Sequence, residues 1–235
     1  MIDLNEFYEN VDVTFEGKKA EGYKELLSGL LDDIVQRLPD DDLFKTPGHI
    51  YFSTLEKIIE RWEDPKNPHK VGSHYLESIK YADKQWKNLA DVLVDPQSVF
   101  DAIHEMPGYA DGCSTPIFRH EDGGLVMEYI VEVVVDNRMM FRSDDYIKGT
   151  ICHEIVEFTT KGIVLNEHKD EIKKIEDIIK IFKKYLKSGS YPPSKEYDEH
   201  EEIVNREVKR LGFEKEIAVI EKGGIGITDD NIRSM

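Results

Sequence analysis

The chain has 235 residues, with 31 Lys and Arg against 48 Asp and Glu and a formal net charge of -17 at pH 7. That length can bury a sizeable core as one large domain or two modest ones, and 40% hydrophobic residues with 10% aromatics exclude general disorder. The charge argues against a nucleic-acid partner, because a polyanion is repelled without a strong basic patch, and the densest basic stretch, residues 169–187, interleaves Lys with Glu and Asp.

No apolar run approaches the roughly 18 residues of a membrane span. The opening residues lack the positive start and apolar core of a leader. Two distant cysteines, Cys113 and Cys152, make no disulfide framework. The expectation is a cytoplasmic protein with no membrane or nucleic-acid partner; the oligomeric state is not legible.

In chain order, the first hundred or so residues predict helices. Residues 22–38 carry Tyr23, Leu26, Leu27, Leu30, Leu31 and Ile34 at steps of three and four. Asp40, Asp41, Asp42, Pro47 and Gly48 then break the pattern. A second helix is expected over 50–62, a third over about 73–94 and a fourth over 96–106, ended by Pro107 and Gly108. Trp62 and Trp86 fit packing between helices.

From Gly108 to Gly124, glycines and Pro116 predict a loop-rich stretch. Residues 125–135, dense in Val, Ile and Tyr, read as a strand with Glu128 and Glu132 facing out. Asp136-Asn137 suits a tight turn into a short strand over 139–142. Ser143, Asp144 and Asp145 supply a cap and negative charge for a helix that should end near Lys161-Gly162. An amphipathic helix over 167–186 and a last one from Ser194 to Leu211, closed by Gly212, follow. A strand-like piece, 217–220, precedes a glycine-rich tail.

These elements define an α+β chain, mostly helical, with a small antiparallel sheet. They divide it into a helical region 1–107, a domain 108–216, and a C-terminal strand and tail 217–235.

Residues 152–158, Cys-His-Glu-Ile-Val-Glu-Phe, are the most specific stretch. On a helix His153 and Glu157 share a face, with Glu154 rotated by about 100°. His-Glu pairs recur at His104, His120 and His200, so the dipeptide alone carries little. Here, however, Ile147, Ile151, Cys152, Ile155, Val156 and Phe158 cover half the helix and confine Tyr146, Thr150, His153, Glu154 and Glu157 to one strip. The strip is either a solvent face or a site. On the last helix Tyr197, Val204, Val208 and Leu211 form an apolar stripe that contains Glu201, with His200 at its edge. A carboxylate there is expensive unless paired or bound to metal.

The order of a strand over 125–135, a turn, a helix with His153-Glu154-x-x-Glu157 and a later helix with Glu201-x-x-x-Asn205 resembles the zincin metallopeptidases. It is most similar to small glutamate-zincins, over about residues 124–212. The resemblance implies a Zn2+ held by His153, Glu157 and Glu201, with Glu154 as general base and Asn205 supporting the ligands. It also implies a peptide or protein substrate paired along an edge strand at Val131, Val133 and Val135. Glu157 departs from the family's second His. Two carboxylates would neutralise much of the metal charge, acidify bound water less, and tilt the preference toward Mn or Fe. With His200 as an alternative ligand the set becomes that of a non-haem iron centre.

Three readings follow: a metal-dependent peptidase, an inactive zincin-fold module that binds or regulates without a cofactor, and a helical interaction protein without metal. The chain has no Gly-x-Ser-x-Gly, no phosphate-binding Gly-x-x-x-x-Gly-Lys-Ser/Thr and no Cys-x-x-Cys. Cys152 and His153 point about 100° apart on a helix, which does not suit a nucleophile and its base.

Overall fold

The computed structural model describes residues 1–40, 44, 46, 48–67, 76, 77, 79–81, 83, 84, 112–121, 124–136, 142–167 and 195–221. Over 115–121, 124–127, 158–167, 195–201, 203 and 221 it describes the backbone alone.

Asp3 caps the first helix, α1 (Leu4–Asn10), its carboxylate accepting the Asn5 N–H at 2.9 Å. The next run, Val-Asp-Val-Thr-Phe-Glu, alternates apolar and polar residues and forms β1 (Val11–Glu16). Helices α2 (Lys18–Gly22) and α3 (Lys24–Arg37) carry the chain to β2 (Gly48–Ser53) and α4 (Leu55–Glu63). Then come β3 (Gly112–Glu121), β4 (Gly124–Val134), α5 (Asp144–Glu167), α6 (Lys195–Arg210) and α7 (Glu214–Glu221).

The four strands lie in the order β1-β2-β4-β3. β1, β2 and β4 run parallel and β3 runs antiparallel to β4, so the sheet is mixed rather than antiparallel. The crossover through α3 causes this, since parallel neighbours need a long return. Segments before residue 107 and after residue 108 share this one sheet.

Helix α3 matches the helix expected over 22–38, and β4 matches the strand expected over 125–135. Residues 48–53 are a strand, where the expected second helix already begins at residue 50. Ile50 and Phe52, both fully buried, face one side, and His49 and Tyr51 the other. The stretch expected as loop between Gly108 and Gly124 contains β3, where an outermost position tolerates Pro116. Helix α5 passes through Gly162 to Glu167.

The expected strand at 217–220 is helix α7, because Phe213, Ile217 and Ile220 reach the core at steps of four and three. The described positions between 76 and 84 are helical. The expected helices over 96–106 and 167–186, the short strand 139–142 and the glycine-rich tail fall largely or wholly outside the described residues.

Valines and aromatics of one sheet face pack with α3, α5, α6 and α7 into a single core, in which Phe52, Val131, Ile34, Ile151, Val208 and Phe213 are all fully buried. Helix α4 covers the other face, where Trp62 donates its indole N–H to Glu132 at 2.8 Å. Among the described residues no helix is long and apolar enough to cross a membrane.

Candidate functional site

Ser143 opens α5: its Oγ accepts the Tyr146 N–H at 3.1 Å and its carbonyl accepts the Ile147 N–H at 3.1 Å. Ile147, Ile151, Ile155 and Val156 then anchor the helix in the core. The polar strip that they frame is not a solvent face. Glu154 is 8% exposed and Glu157 is 7% exposed, and His153 is half-buried.

Two ties run sideways from this strip. Ser114 of β3 donates its hydroxyl to Glu157 Oε2 at 2.7 Å, in buried surroundings. On the opposite side, His153 Nδ1 lies 3.0 Å from Asn205 Oδ1 of α6. An amide oxygen only accepts, so this contact places a proton on Nδ1 and leaves Nε2 with its lone pair in the neutral ring.

Gly112, at the start of β3, lets the strand approach the helix. A Cβ there would lie 2.8 Å from Glu154 Oε1 and Cγ and 2.8 Å from the Glu132 carbonyl oxygen, closer than side-chain carbons tolerate.

The structure therefore brings together His153, Glu154, Glu157 and Asn205 from the expected set. Glu201 occupies the α6 position one turn before Asn205, with His200 beside it in the chain; both side chains lie outside the described residues. Val131, Val133 and Val135 do not lie on an edge. β4 has β2 on one flank and β3 on the other, and Val135 donates its N–H to the Ser53 carbonyl at 2.9 Å. These backbones spend their hydrogen bonds within the sheet, so they cannot take an added strand. Among the described residues the outermost strands are β1 and β3, and β3 is the one beside the motif helix.

Among the described residues no three His, Cys, Asp or Glu side chains gather as a metal site. His153 and Glu157 would supply two of the three protein ligands that a catalytic zinc takes, and the third of the expected set, Glu201, has its side chain outside the described residues. Cys152 is fully buried and burial raises its thiol far above the ordinary value, which makes it an inert packing group.

Ser114 and Gly112 were hidden in a stretch that reads as loop, and their only signal is the two-residue spacing that puts both on one side of a strand. Glu132, expected to face out, is 1% exposed. Comparison with protein-family models, with curated proteins and with solved structures returns no match.

Proposed function

We propose that the chain is a non-hydrolytic binding or regulatory module built on a zincin-like arrangement, with a peptide or protein as its partner. The observation that supports it is the state of Glu157. The resemblance puts a metal-binding imidazole at that position, and the carboxylate found there is buried and accepts the Ser114 hydroxyl at 2.7 Å. In this reading the turn His153–Glu157 is a tie between β3 and α6. β3, outermost among the described strands, sets its Gly112–Ser114 stretch next to Glu154, and in this reading an extended partner meets the chain there.

The tautomer of His153 favours a second reading, a metal-dependent peptidase. A ring whose Nδ1 proton is held by Asn205 carries its lone pair on Nε2, the tautomer in which an imidazole binds a metal ion. His153, Glu157 and Glu201 would be its ligands and Glu154 its general base.

Protein purified without chelator separates the two. The module reading expects far less than one equivalent of Zn, Mn or Fe and no cleavage of an unfolded protein substrate. One equivalent of metal, lost on His153→Ala and on Glu201→Ala, together with cleavage abolished by Glu154→Gln, would overturn it.

A further inference from the structure

Val204 and Val208, both fully buried, seat α6 in the core. Hydrophobic burial is non-directional, so two valines choose which face of α6 turns inward without fixing how far along its axis it sits. The His153–Asn205 contact is directional and needs that axial position to within a fraction of the 1.5 Å rise per residue.

The C-terminal corner of α6 supplies directional bonds. Gly212, at φ +90°, ends the helix: its N–H bonds to the Lys209 carbonyl at 2.9 Å and the Phe213 N–H to the Val208 carbonyl at 3.2 Å. This pair of bonds makes a stiff turn. Arg37, the last residue of α3, grips that turn in three ways. One guanidinium nitrogen donates to the Gly212 carbonyl, a second donates to Glu216 Oε1 at 2.5 Å, and the guanidinium carbon lies 3.9 Å over the Phe213 ring. Glu216 in turn lies against α5, since a Cβ on Gly149 would meet the Glu216 carbonyl oxygen at 2.8 Å.

We infer that Arg37 is a positioning residue for His153. By clamping the Gly212 turn it fixes the axial position of α6, and thereby the Asn205 oxygen that holds the imidazole proton on Nδ1. Arg37 acts through a helix, across seven residues or about 10 Å from Gly212 to Asn205. The inference concerns the proton on the ring and is independent of whether the site binds or cleaves its partner.

Nitrogen-15 NMR of the His153 ring in the full chain, at a pH where the imidazole is neutral, reads the tautomer directly. The wild type should show the Nδ1–H form, and Asn205→Ala should lose it. Arg37→Lys keeps a charge for Glu216 but cannot also bond the Gly212 carbonyl and stack on Phe213. It should lower the Nδ1–H population by about half or more. Phe213→Leu, which keeps an apolar group in the core, should move it the same way. It carries the test if Arg37→Lys fails to fold.

Lys215→Met removes an exposed ion pair with Asp145 on the same corner and should leave the ring as in wild type. The double variant Arg37→Lys with Asn205→Ala should match Asn205→Ala alone. A wild-type Nε2–H ring would overturn the inference. So would folded Arg37→Lys and Phe213→Leu proteins with the wild-type tautomer, or a double variant whose effects add.

Discussion

Glu132 and Glu157 are carboxylates of almost equal burial, 1% and 7% exposed, on opposite sides of one sheet. Glu132 projects from β4 toward α4 and meets a cation: Arg61 Nη2 lies 3.2 Å from Oε1, while Trp62 donates to Oε2 at 2.8 Å. The same Arg61 nitrogen reaches Glu16 at 2.7 Å and Ser53 at 2.8 Å, and the guanidinium lies 3.8 Å over the Tyr51 ring. Glu157 reaches the sheet from the helical side and accepts a neutral hydroxyl from Ser114. A guanidinium offsets the charge of a buried carboxylate, whereas a hydroxyl satisfies one of its lone pairs. The tie on the α4 face thus contains an ion pair, and the Ser114–Glu157 tie on the α5 face is a hydrogen bond from a neutral donor.

Removing the cation should give the largest effect. Arg61→Met leaves Glu132 buried without its guanidinium and should cost about 3–5 kcal/mol of stability in urea unfolding. Glu132→Gln in that background should recover part of the loss, because the charge that had to be offset is gone. If Arg61→Met costs less than about 1 kcal/mol, as an exposed pair would, the α4 face is not held by an ionic tie.

The two faces also differ in how much of them can be read from sequence. The α5 strip is local: His153, Glu154 and Glu157 stand within one turn of a helix whose isoleucines announce its burial. Asn205 comes from the resemblance, through the Glu201-x-x-x-Asn205 pattern, rather than from the periodicity of α6. The Arg61 network is assembled from Glu16, Ser53, Arg61 and Glu132, which only the register of three parallel strands brings together. A charged residue inside a strand-like run reads as an outward position, and nothing local shows that a helix 70 residues earlier supplies its partner. For the same reason β1, β2 and β3 were harder to read than β4. Each is short or broken by Gly and Pro, and its identity comes from neighbours rather than from its own pattern.

On the α5 face the expected effect is smaller. Ser114→Ala removes the donor to Glu157 without adding bulk and should cost about 1–3 kcal/mol, the penalty for depriving a buried acceptor of a bond. Ser114→Thr keeps the hydroxyl and should stay closer to wild type. A Ser114→Ala protein as stable as wild type would mean that Glu157 does not depend on the sheet, and the two faces would no longer be alternative solutions to one problem.

Asp33 and Lys148 give the weak end of the scale, because they link α3 to α5 outside both faces. Their charged atoms lie 2.5 Å apart, yet the side chains remain 45% and 20% exposed. The hydrogen bond from Lys148 is the largest influence on Asp33 and, with the nearby positive charges, holds its carboxyl below the ordinary 3.8. A depressed folded-state value means that the unfolded chain binds more protons between the two values. The pair's contribution is therefore complete above pH 3.8 and fades as pH falls through the lowered folded value. Solvent screening keeps it below about 1 kcal/mol. Lys148→Met should lower stability by that small amount at neutral pH, less so in high salt. The wild-type and variant unfolding curves should converge in acid below the Asp33 transition. Curves that stay equally far apart in acid would show that the lysine acts through its buried stem rather than its charge. The α3–α5 contact would then belong with the packed core rather than with the ionic ties.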